Sequence, residues 1–295
     1  MSGGSAFVTG GGGFVGGHLL PLLDDVVAPP REELDLLDAE AVRRAIAAAA
    51  PARVFHLAAL ASVAHSWQHP RAVLRDNVEM TVNVLDAVRE EAPEAVVVCL
   101  SSGEVYGPPT RLPITEDAPL RPQNPYAVSK AACDLLAGQY ADAHGLQVVR
   151  VRAFNQAGPG QSDEYVIGTI ARQVAEAETG GGGETVIRTG NPDSARDFTD
   201  VRDSARAYVA ASTLPAGVYN VCSGTATSVR ALVEMAARAA RVEIRHEVDA
   251  ARVRAQDVPE VSGSAERLAE ASGWRPEIPL EQTIADAIAY WRERR

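Results

Sequence analysis

A tyrosine and a lysine four residues apart carry the clearest chemical signal in the sequence. Tyr126 and Lys130 lie in a predicted helix that begins at Asn124. On a helix this spacing puts both side chains on one face. An ammonium group near a phenol lowers the pKa of the phenol, so the tyrosine can exchange a proton with a carbinol or carbonyl oxygen near neutral pH. The pair therefore predicts acid-base chemistry, with an ordinary exposed helix pair as the alternative.

A group of polar residues follows a predicted buried strand over 95–101. Ser102, Gly103 and Glu104 come directly after it. Parallel sheets bind their ligands at the carboxyl ends of the strands. At that position the hydroxyl of Ser102 can hydrogen-bond the oxygen that reacts. We therefore expect Ser102 to complete a catalytic triad with the tyrosine and the lysine.

Glycines fill the first predicted junction between a strand and a helix. Gly10, Gly13 and Gly16 have G-x-x-G-x-x-G spacing between predicted strand 6–9 and predicted helix 16–23. Glycine is needed there because the turn is tight, the backbone must touch a pyrophosphate, and the helix must pack close to the sheet. The spacing predicts a dinucleotide site, and the alternative is a glycine-rich turn.

The second predicted strand, 25–28, is not followed by a carboxylate. Dinucleotide folds usually have an acid there for the ribose hydroxyls of the adenosine. Here two prolines and Arg31 follow, so the 2′-phosphate of NADP meets no fixed repulsion and Arg31 can pair with it. We expect NADP. NAD stays possible because Glu32 and Glu33 weaken a phosphate site next to Arg31.

Alternating strand and helix patterns must position these residues. Short apolar runs predict strands, and apolar residues three or four apart predict helices. Strands are predicted at 6–9, 25–28, 52–58, 95–101, 147–152 and 217–222, and helices at 16–23, 39–50, 70–90, 126–144, 165–178 and 280–295. This alternation predicts an α/β fold, a Rossmann doubly wound parallel sheet, and the looser pattern after residue 154 predicts a smaller C-terminal lobe.

Composition excludes several classes of function. The 295 residues include 28 basic and 39 acidic residues, for a net charge of −11, and 46% are hydrophobic. This surface repels nucleic acid and anionic lipid. No apolar run approaches the roughly 18 residues of a membrane span. We expect a folded cytoplasmic protein without disulfides. No metal is expected, because His65 and His69 lack a third ligand.

Taken together, these motifs resemble the extended short-chain dehydrogenase/reductases that act on nucleotide sugars. The resemblance covers nearly the whole chain and includes Val-Phe-His-Leu-Ala-Ala at 54–59 and Asn77. The second half is most similar to GDP-6-deoxy-4-keto-mannose reductases and GDP-mannose 4,6-dehydratases. The matching stretches are 152–155, 158–161, 191–198, 219–224 and 273–276.

The resemblance implies two sets of site residues. With Arg31 added, those expected at the cofactor are Gly10, Gly13, Phe14, Val15, Arg31, Asp35, Leu36, Leu57, Ala58, Ala59, Asn77, Ser101, Tyr126 and Lys130. Those expected at the substrate are Ser102, Gly103, Glu104, Tyr126, Asn155, Val166, Arg172, Arg196, Arg254 and Asp257. In the family, the pair matching Asp35 and Leu36 meets the adenine, and arginines matching Arg196 and Arg254 surround the substrate diphosphate and ribose.

Residues 103 and 104 distinguish two reactions of this family. A 4,6-dehydratase also needs a base for the C5 proton and an acid for the departing C6 hydroxyl, at the two residues after the triad serine or threonine. Gly103 can donate no proton, although Glu104 can still serve as a base. We therefore expect NADPH to reduce C4 of a GDP-linked 4-keto-6-deoxyhexose, with a GDP-mannose 4,6-dehydratase as the alternative.

Two other functions stay open. A dTDP-4-keto-6-deoxyhexose reductase or epimerase would use much of the same machinery. A non-catalytic NADP-sensing protein belongs to another class, but it would be expected to have lost Tyr126 or Lys130, and both are present.

The resemblance also implies a domain division and a homodimer. Residues 1–153 are expected to form the NAD(P)-binding domain, with about 185–222 returning to it. The sugar-nucleotide lobe is expected at 154–184 and 223–295. Family members pair through the helices at 70–90 and around Tyr126, and the second of these carries the small or apolar residues Ala127, Ala131, Ala132, Leu135 and Leu136.

Overall fold

A computed structural model describes residues 5–179, 184–252 and 258–294 of the chain. The strands are β1 (Ala6–Thr9), β2 (Val26–Val27), β3 (Arg53–His56), β4 (Val96–Ser102), β5 (Gln147–Ala153), β6 (Asn155–Ala157), β7 (Glu184–Thr189), β8 (Ala195–Asp200), β9 (Gly217–Val221), β10 (Ala226–Ser228), β11 (Glu243–Val248) and β12 (Glu260–Val261). The α-helices are α1 (Phe14–Leu19), α2 (Ala39–Ala49), α3 (Val63–Gln68), α4 (Pro70–Glu91), α5 (Pro125–His144), α6 (Val166–Thr179), α7 (Val201–Ala211), α8 (Val229–Ala239), α9 (Glu266–Ser272) and α10 (Leu280–Glu293).

The main sheet of the described chain is parallel and has the strand order β2-β1-β3-β4-β5-β9. The predicted doubly wound α/β fold is therefore confirmed. β1 lies between β2 and β3, so the strand order reverses at β1. Ligands of such sheets bind in the crevice at the carboxyl ends of the strands beside this reversal. The loops after β1 and β3 occupy that crevice.

Both faces of the main sheet are covered, which explains why its strands are continuous apolar runs. Side chains alternate between the two faces along a strand. A separate apolar core lies on each face. On β4, Val98 packs in the first core with Tyr208 of α7, and Val97 packs in the second core with Val84 of α4. The loops at the carboxyl edge are thus held on a rigid, fully buried sheet.

The remaining strands form a smaller lobe. β8 pairs with β6, β10 and β12, and β7 pairs with β11. Helices α6, α8 and α10 pack on a third core that contains Ile170, Leu232 and Ile288. Within 185–222, α7 and β9 pack with the main sheet, whereas β7 and β8 lie in the smaller sheets. None of the helices in the described residues combines the length and apolar composition of a membrane span.

A buried ion pair fixes α5 to the main sheet. Arg152 on β5 donates from Nε and Nη2 to the carboxylate of Asp134 on α5, at 2.8 and 2.9 Å. The Arg152 side chain is 6% exposed and that of Asp134 is fully buried. Burial alone would raise the pKa of Asp134, but the hydrogen bonds and charge of Arg152 hold it below its usual value. Removing one partner of such a pair costs about 3–5 kcal/mol, so the pair strongly resists displacement of α5.

Candidate active site

The carboxyl end of β4 and the first turns of α5 bring three predicted residues together. The side chain of Asn124 caps α5 by accepting from the amide of Ala127 at 2.8 Å. The hydroxyl of Ser102 accepts from the Glu104 amide at 3.2 Å and lies near enough to the phenol of Tyr126 to lower the pKa of that phenol. Ser102 and Lys130 are buried, whereas Tyr126 stays partly exposed. The phenol can therefore reach a ligand while its partners are fixed.

The pKa of Tyr126 is raised above its ordinary value. Burial raises it more than the charge of Lys130 and the hydrogen bond with Ser102 lower it, and the nearby Glu104 raises it further. The lysine acts in the direction that the sequence predicted, but the net shift is the opposite because burial disfavours the phenolate. The phenol is consequently protonated at neutral pH and suited to donate a proton.

The two residues after Ser102 differ in what they can contribute. A Cβ atom at Gly103 would lie 3.1 Å from ring carbons of Phe154, so the ring would have to shift to admit any side chain. The carboxylate of Glu104 accepts from Nδ2 of Asn124 at 3.0 Å and is half-buried. The site thus has a carboxylate at position 104 that Asn124 fixes in place, and no acidic side chain at position 103.

The glycine loop has the close backbone approaches that a dinucleotide site needs. Gly10 has a φ of +74°, and a Cβ there would lie 2.8 Å from the backbone nitrogen of Ala58. A Cβ at Gly16 would lie 2.6 Å from the carbonyl oxygen of Gly10 and would also overlap that of Gly11. Gly10 and Gly13 are exposed. This open backbone cradle fits the pyrophosphate of a dinucleotide.

The other residues expected at the cofactor lie around this cradle. Phe14 begins α1, and Val15 packs against the first core. The half-buried segment Leu57, Ala58 and Ala59 follows β3 directly, beside the point where the strand order reverses. Ser101 is buried at the end of β4. Most of the residues expected at the cofactor therefore lie at the carboxyl edge of the main sheet, around β1.

Three further residues expected at the cofactor lie in the segment that follows β2. Arg31 is exposed in the loop after β2. Asp35 is also exposed, and its carboxylate accepts from the amide of Leu37 at 3.0 Å, while Leu36 packs against the second core. Arg31 is thus accessible from solvent at the β2 end of the sheet.

Asn77 is buried, and both ends of its side-chain amide form hydrogen bonds with other residues of the chain. Its Oδ1 accepts from the amide of Leu60 at 2.7 Å, and its Nδ2 donates to the hydroxyl of Ser129 at 2.9 Å. This places Asn77 behind the loop that follows β3.

Two of the residues expected at the substrate hydrogen-bond or pair with other groups of the chain. Nδ2 of Asn155 donates to the carbonyl of Asp197 at 3.2 Å. Arg172 on α6 forms ion pairs of 2.9 Å with Asp163 and 2.7 Å with Glu176.

The two remaining described members of that set lie in the smaller lobe. Nη1 of Arg196 donates to the carbonyls of Ala195 and Val258, at 2.9 and 2.7 Å. Val166 begins α6 and packs against the third core. Arg254 and Asp257 lie outside the described residues.

Two residues near the site were given no role of their own from the sequence. His56 is buried, and burial together with the charge of Lys130 lowers its pKa to about 3, so it is neutral. Ser129 lies one turn from Tyr126 and donates to its carbonyl at 2.7 Å. The only signal for Ser129 was its position between the tyrosine and the lysine, which does not show that Asn77 lies opposite.

Comparison with known proteins agrees with this geometry. A family model described as GDP-mannose 4,6 dehydratase matches residues 31–287. GDP-6-deoxy-D-mannose reductase of Pseudomonas aeruginosa is 37% identical over 297 residues, covering 98% of this chain and 97% of the relative. The structure of RMD from Pseudomonas aeruginosa complexed with NADPH has a TM-score of 0.90 at 35% identity and covers 99% of both chains. Thermus thermophilus UDP-glucose 4-epimerase complexed with NAD has a TM-score of 0.84 at 28% identity, covering 98% of this chain and 99% of that chain.

The glycine cradle can be tested with two alanine substitutions in α1. Gly16→Ala should raise the Kd for NADPH about tenfold or more, because the new Cβ pushes against the loop carbonyls. Gly17→Ala is the matched control, since no atom lies within 4 Å of its Cβ and its backbone is helical. Titration of NADPH fluorescence and thermal melts would measure both. A folded Gly16→Ala variant that binds as tightly as the Gly17→Ala variant would contradict the cradle.

Proposed function

The chain belongs to the GDP-mannose 4,6-dehydratase family of extended short-chain dehydrogenases, and we propose that it reduces the C4 carbonyl of a GDP-linked 4-keto-6-deoxyhexose with NADPH. The observation that carries this proposal is the position of the phenol of Tyr126 on α5, near the hydroxyl of Ser102 at the end of β4 and the charge of Lys130. Such a site presents two hydrogen-bond donors to one oxygen. The full-length similarity to GDP-6-deoxy-D-mannose reductase supports the same reaction.

Each residue has a definite part in this reduction. When bound, NADPH supplies the hydride that the C4 carbon receives. Tyr126 donates its proton to the C4 oxygen, so the carbonyl becomes a secondary alcohol and the phenol becomes a phenolate. Ser102 orients the carbonyl by a hydrogen bond, and Lys130 stabilises the negative charge left on Tyr126. The phenolate then regains a proton from solvent, which restores the phenol.

One observation favours reduction over dehydration. Dehydration needs an acid beside the C6 hydroxyl, and Gly103 has no side chain to supply one. Glu104 favours the second candidate, a 4,6-dehydratase, because its carboxylate lies near Tyr126 and can act as a base.

NADPH is the cofactor we favour. No carboxylate ends β2, and Arg31 is exposed just beyond that strand, where it can pair with a 2′-phosphate. Binding of NADPH by the similar RMD supports this, and binding of NAD by the Thermus thermophilus neighbour leaves NAD possible. We place the protein in the cytoplasm, which agrees with the three buried free thiols Cys99, Cys133 and Cys222.

The reaction predicts a large and specific effect of one hydroxyl group. Tyr126→Phe should lower kcat by about 10²- to 10³-fold, because a transition-state donor is lost, and should leave the affinity for NADPH unchanged. Tyr140→Phe is the matched control, since its hydroxyl lies on the same helix but donates to Asp86 at 3.0 Å. The assay supplies GDP-4-keto-6-deoxymannose and follows the absorbance of NADPH.

GDP-mannose without added reductant distinguishes the two candidate reactions. We expect no conversion. Formation of the 4-keto sugar from GDP-mannose would identify a dehydratase, and equal loss of turnover in the two tyrosine variants would remove Tyr126 from the reaction.

We also propose that two copies of the chain pair through α3, α4 and α5. Large exposed hydrophobic side chains on these helices support this. Trp67 on α3 is 63% exposed and Leu135 on α5 is 61% exposed, and Leu74 on α4 and Val128 on α5 are also exposed. Helices α4 and α5 pack side by side, so a partner can cover both.

The run of small residues in α5 contributes to this surface unevenly. Ala127 and Ala131 are buried inside the chain, and Ala132 and Leu136 are half-buried. Leu135 is therefore the member of the run that a partner would contact most.

A charge at Leu135 should separate the proposed dimer. Leu135→Glu is expected to sediment as a monomer at micromolar concentration, because an apolar interface would have to bury the new carboxylate. Leu22→Glu is the control, since Leu22 is 46% exposed but lies after α1. A wild-type monomer in analytical ultracentrifugation would overturn the proposed dimer, and a dimeric Leu135→Glu variant would exclude this interface.

A further inference from the structure

Three buried serines make the same local hydrogen bond, but one of them makes a second. Ser66, Ser129 and Ser212 each donate to the carbonyl three residues earlier at 2.7 Å. For Ser129 that carbonyl belongs to Tyr126. Ser129 also accepts from Nδ2 of Asn77 at 2.9 Å. Its hydroxyl therefore connects the residue that carries the candidate acid to a different helix.

Asn77 continues this connection to the loop that follows β3. Its Oδ1 accepts from the amide of Leu60 at 2.7 Å, and its Nδ2 also reaches the Leu60 carbonyl at 3.3 Å. Both ends of the side-chain amide are thus used. Because Asn77 is 2% exposed, a lost bond would leave a buried polar group without its partner.

The loop at Leu60 leads to the glycine cradle. Gly10 approaches Ala58 so closely that a Cβ would lie 2.8 Å from the Ala58 nitrogen. Continuous contacts therefore run from the glycine loop through 58–60, Asn77 and Ser129 to the backbone of Tyr126.

A second set of hydrogen bonds holds Asn77 in place. The hydroxyl of Thr81 donates to the carbonyl of Asn77 at 2.8 Å, so it must accept from Nε2 of His56 at 3.1 Å. Nδ1 of His56 then accepts from the hydroxyl of Thr9 at 2.8 Å. Burial and the nearby charge of Lys130 lower the pKa of His56 to about 3, so this arrangement keeps one protonation state at neutral pH. Asn77 is thus anchored to β1 and β3.

We propose that Ser129 is a positioning residue that couples the glycine cradle to the catalytic tyrosine, Tyr126. Through Asn77, Ser129 fixes the backbone of Tyr126 relative to the loop at 58–60, which lies against Gly10 of the glycine cradle. A proton donor must be placed accurately to act in a transition state, and misplacement by about 1 Å can cost 10²-fold in rate. The kinetic part of this proposal rests on the proposed reductase function.

The first test compares two serine variants of matched geometry. Ser129→Ala should lower kcat about 10- to 100-fold, with the KM for the keto sugar and the Kd for NADPH changed by less than about threefold. Ser212→Ala loses the same kind of local hydrogen bond at the C-terminal end of α7 and should keep wild-type kinetics. Thermal melts would measure the stability cost of each. If both variants lose stability equally and keep wild-type kcat, Ser129 has only a structural role and the proposal is overturned.

The second test does not depend on the substrate. Hydrogen exchange followed by mass spectrometry would compare peptides covering 57–61 and 124–131 with and without NADPH. In the wild type we expect NADPH to slow exchange in both peptides. In Ser129→Ala we expect the slowing in 57–61 to be unchanged and the slowing in 124–131 to be smaller, because the part transmitted through Asn77 is lost while direct contact of NADPH with Tyr126 and Lys130 remains. Equal slowing of 124–131 in both proteins would overturn the coupling, whereas a wild type that reduces no 4-keto sugar nucleotide would overturn the proposed function alone.

Discussion

The phenol of Tyr126 must stay protonated although it lies against a lysine, and burial satisfies this requirement because it disfavours the phenolate more than Lys130 stabilises it. Without the lysine, the phenolate formed after proton donation would have no stabilising charge. Without burial, the phenol would have a lower pKa and would lose its proton to solvent at a lower pH. In the proposed reduction, the balance between these two effects gives the tyrosine an available proton and gives its phenolate a stabilising charge.

This balance requires α5 to be held firmly, and the structure fixes it at three places. The ion pair of Arg152 with Asp134 joins the middle of the helix to β5. Asn124 caps its first turn and also binds the carboxylate of Glu104. Ser129 joins the next residues to Asn77 on α4. All three connections are polar, which gives α5 a more specific position than apolar packing alone would provide.

Much of the fold could be predicted from the sequence because its signals are local. Strands buried on both faces are continuous apolar runs, and crossover helices have their own apolar spacing, so the alternation at 6–152 predicts a parallel sheet. The proximity of three candidate residues could be predicted for the same reason, since Tyr126 and Lys130 share one helix and Ser102 ends one strand. Among the glycines, the spacing indicated Gly10 and Gly16, where a Cβ would collide with backbone.

What the sequence could not show depends on contacts between distant residues. The net direction of the Tyr126 shift is set by burial, which exists only in the folded chain. The ion pairs of Arg172 with Asp163 and Glu176 depend on how the start of α6 folds. Asn77 matched a cofactor residue by resemblance, but its side chain is engaged by Leu60 and Ser129, 17 and 52 residues away along the chain.

The central claim is that a protonated Tyr126 drives reduction, and the pH dependence of kcat/KM for the keto sugar tests it most directly. Because the pKa of the phenol is raised, its acid form is present at neutral pH and is lost only as the pH rises into the alkaline range. The account predicts a level rate from about pH 6 to about pH 9, followed by a decline that is absent from the residual activity of Tyr126→Phe. A decline beginning between about pH 6 and about pH 8 in the wild type, and absent from the variant, would show that Tyr126 ionises near neutrality and would contradict the account.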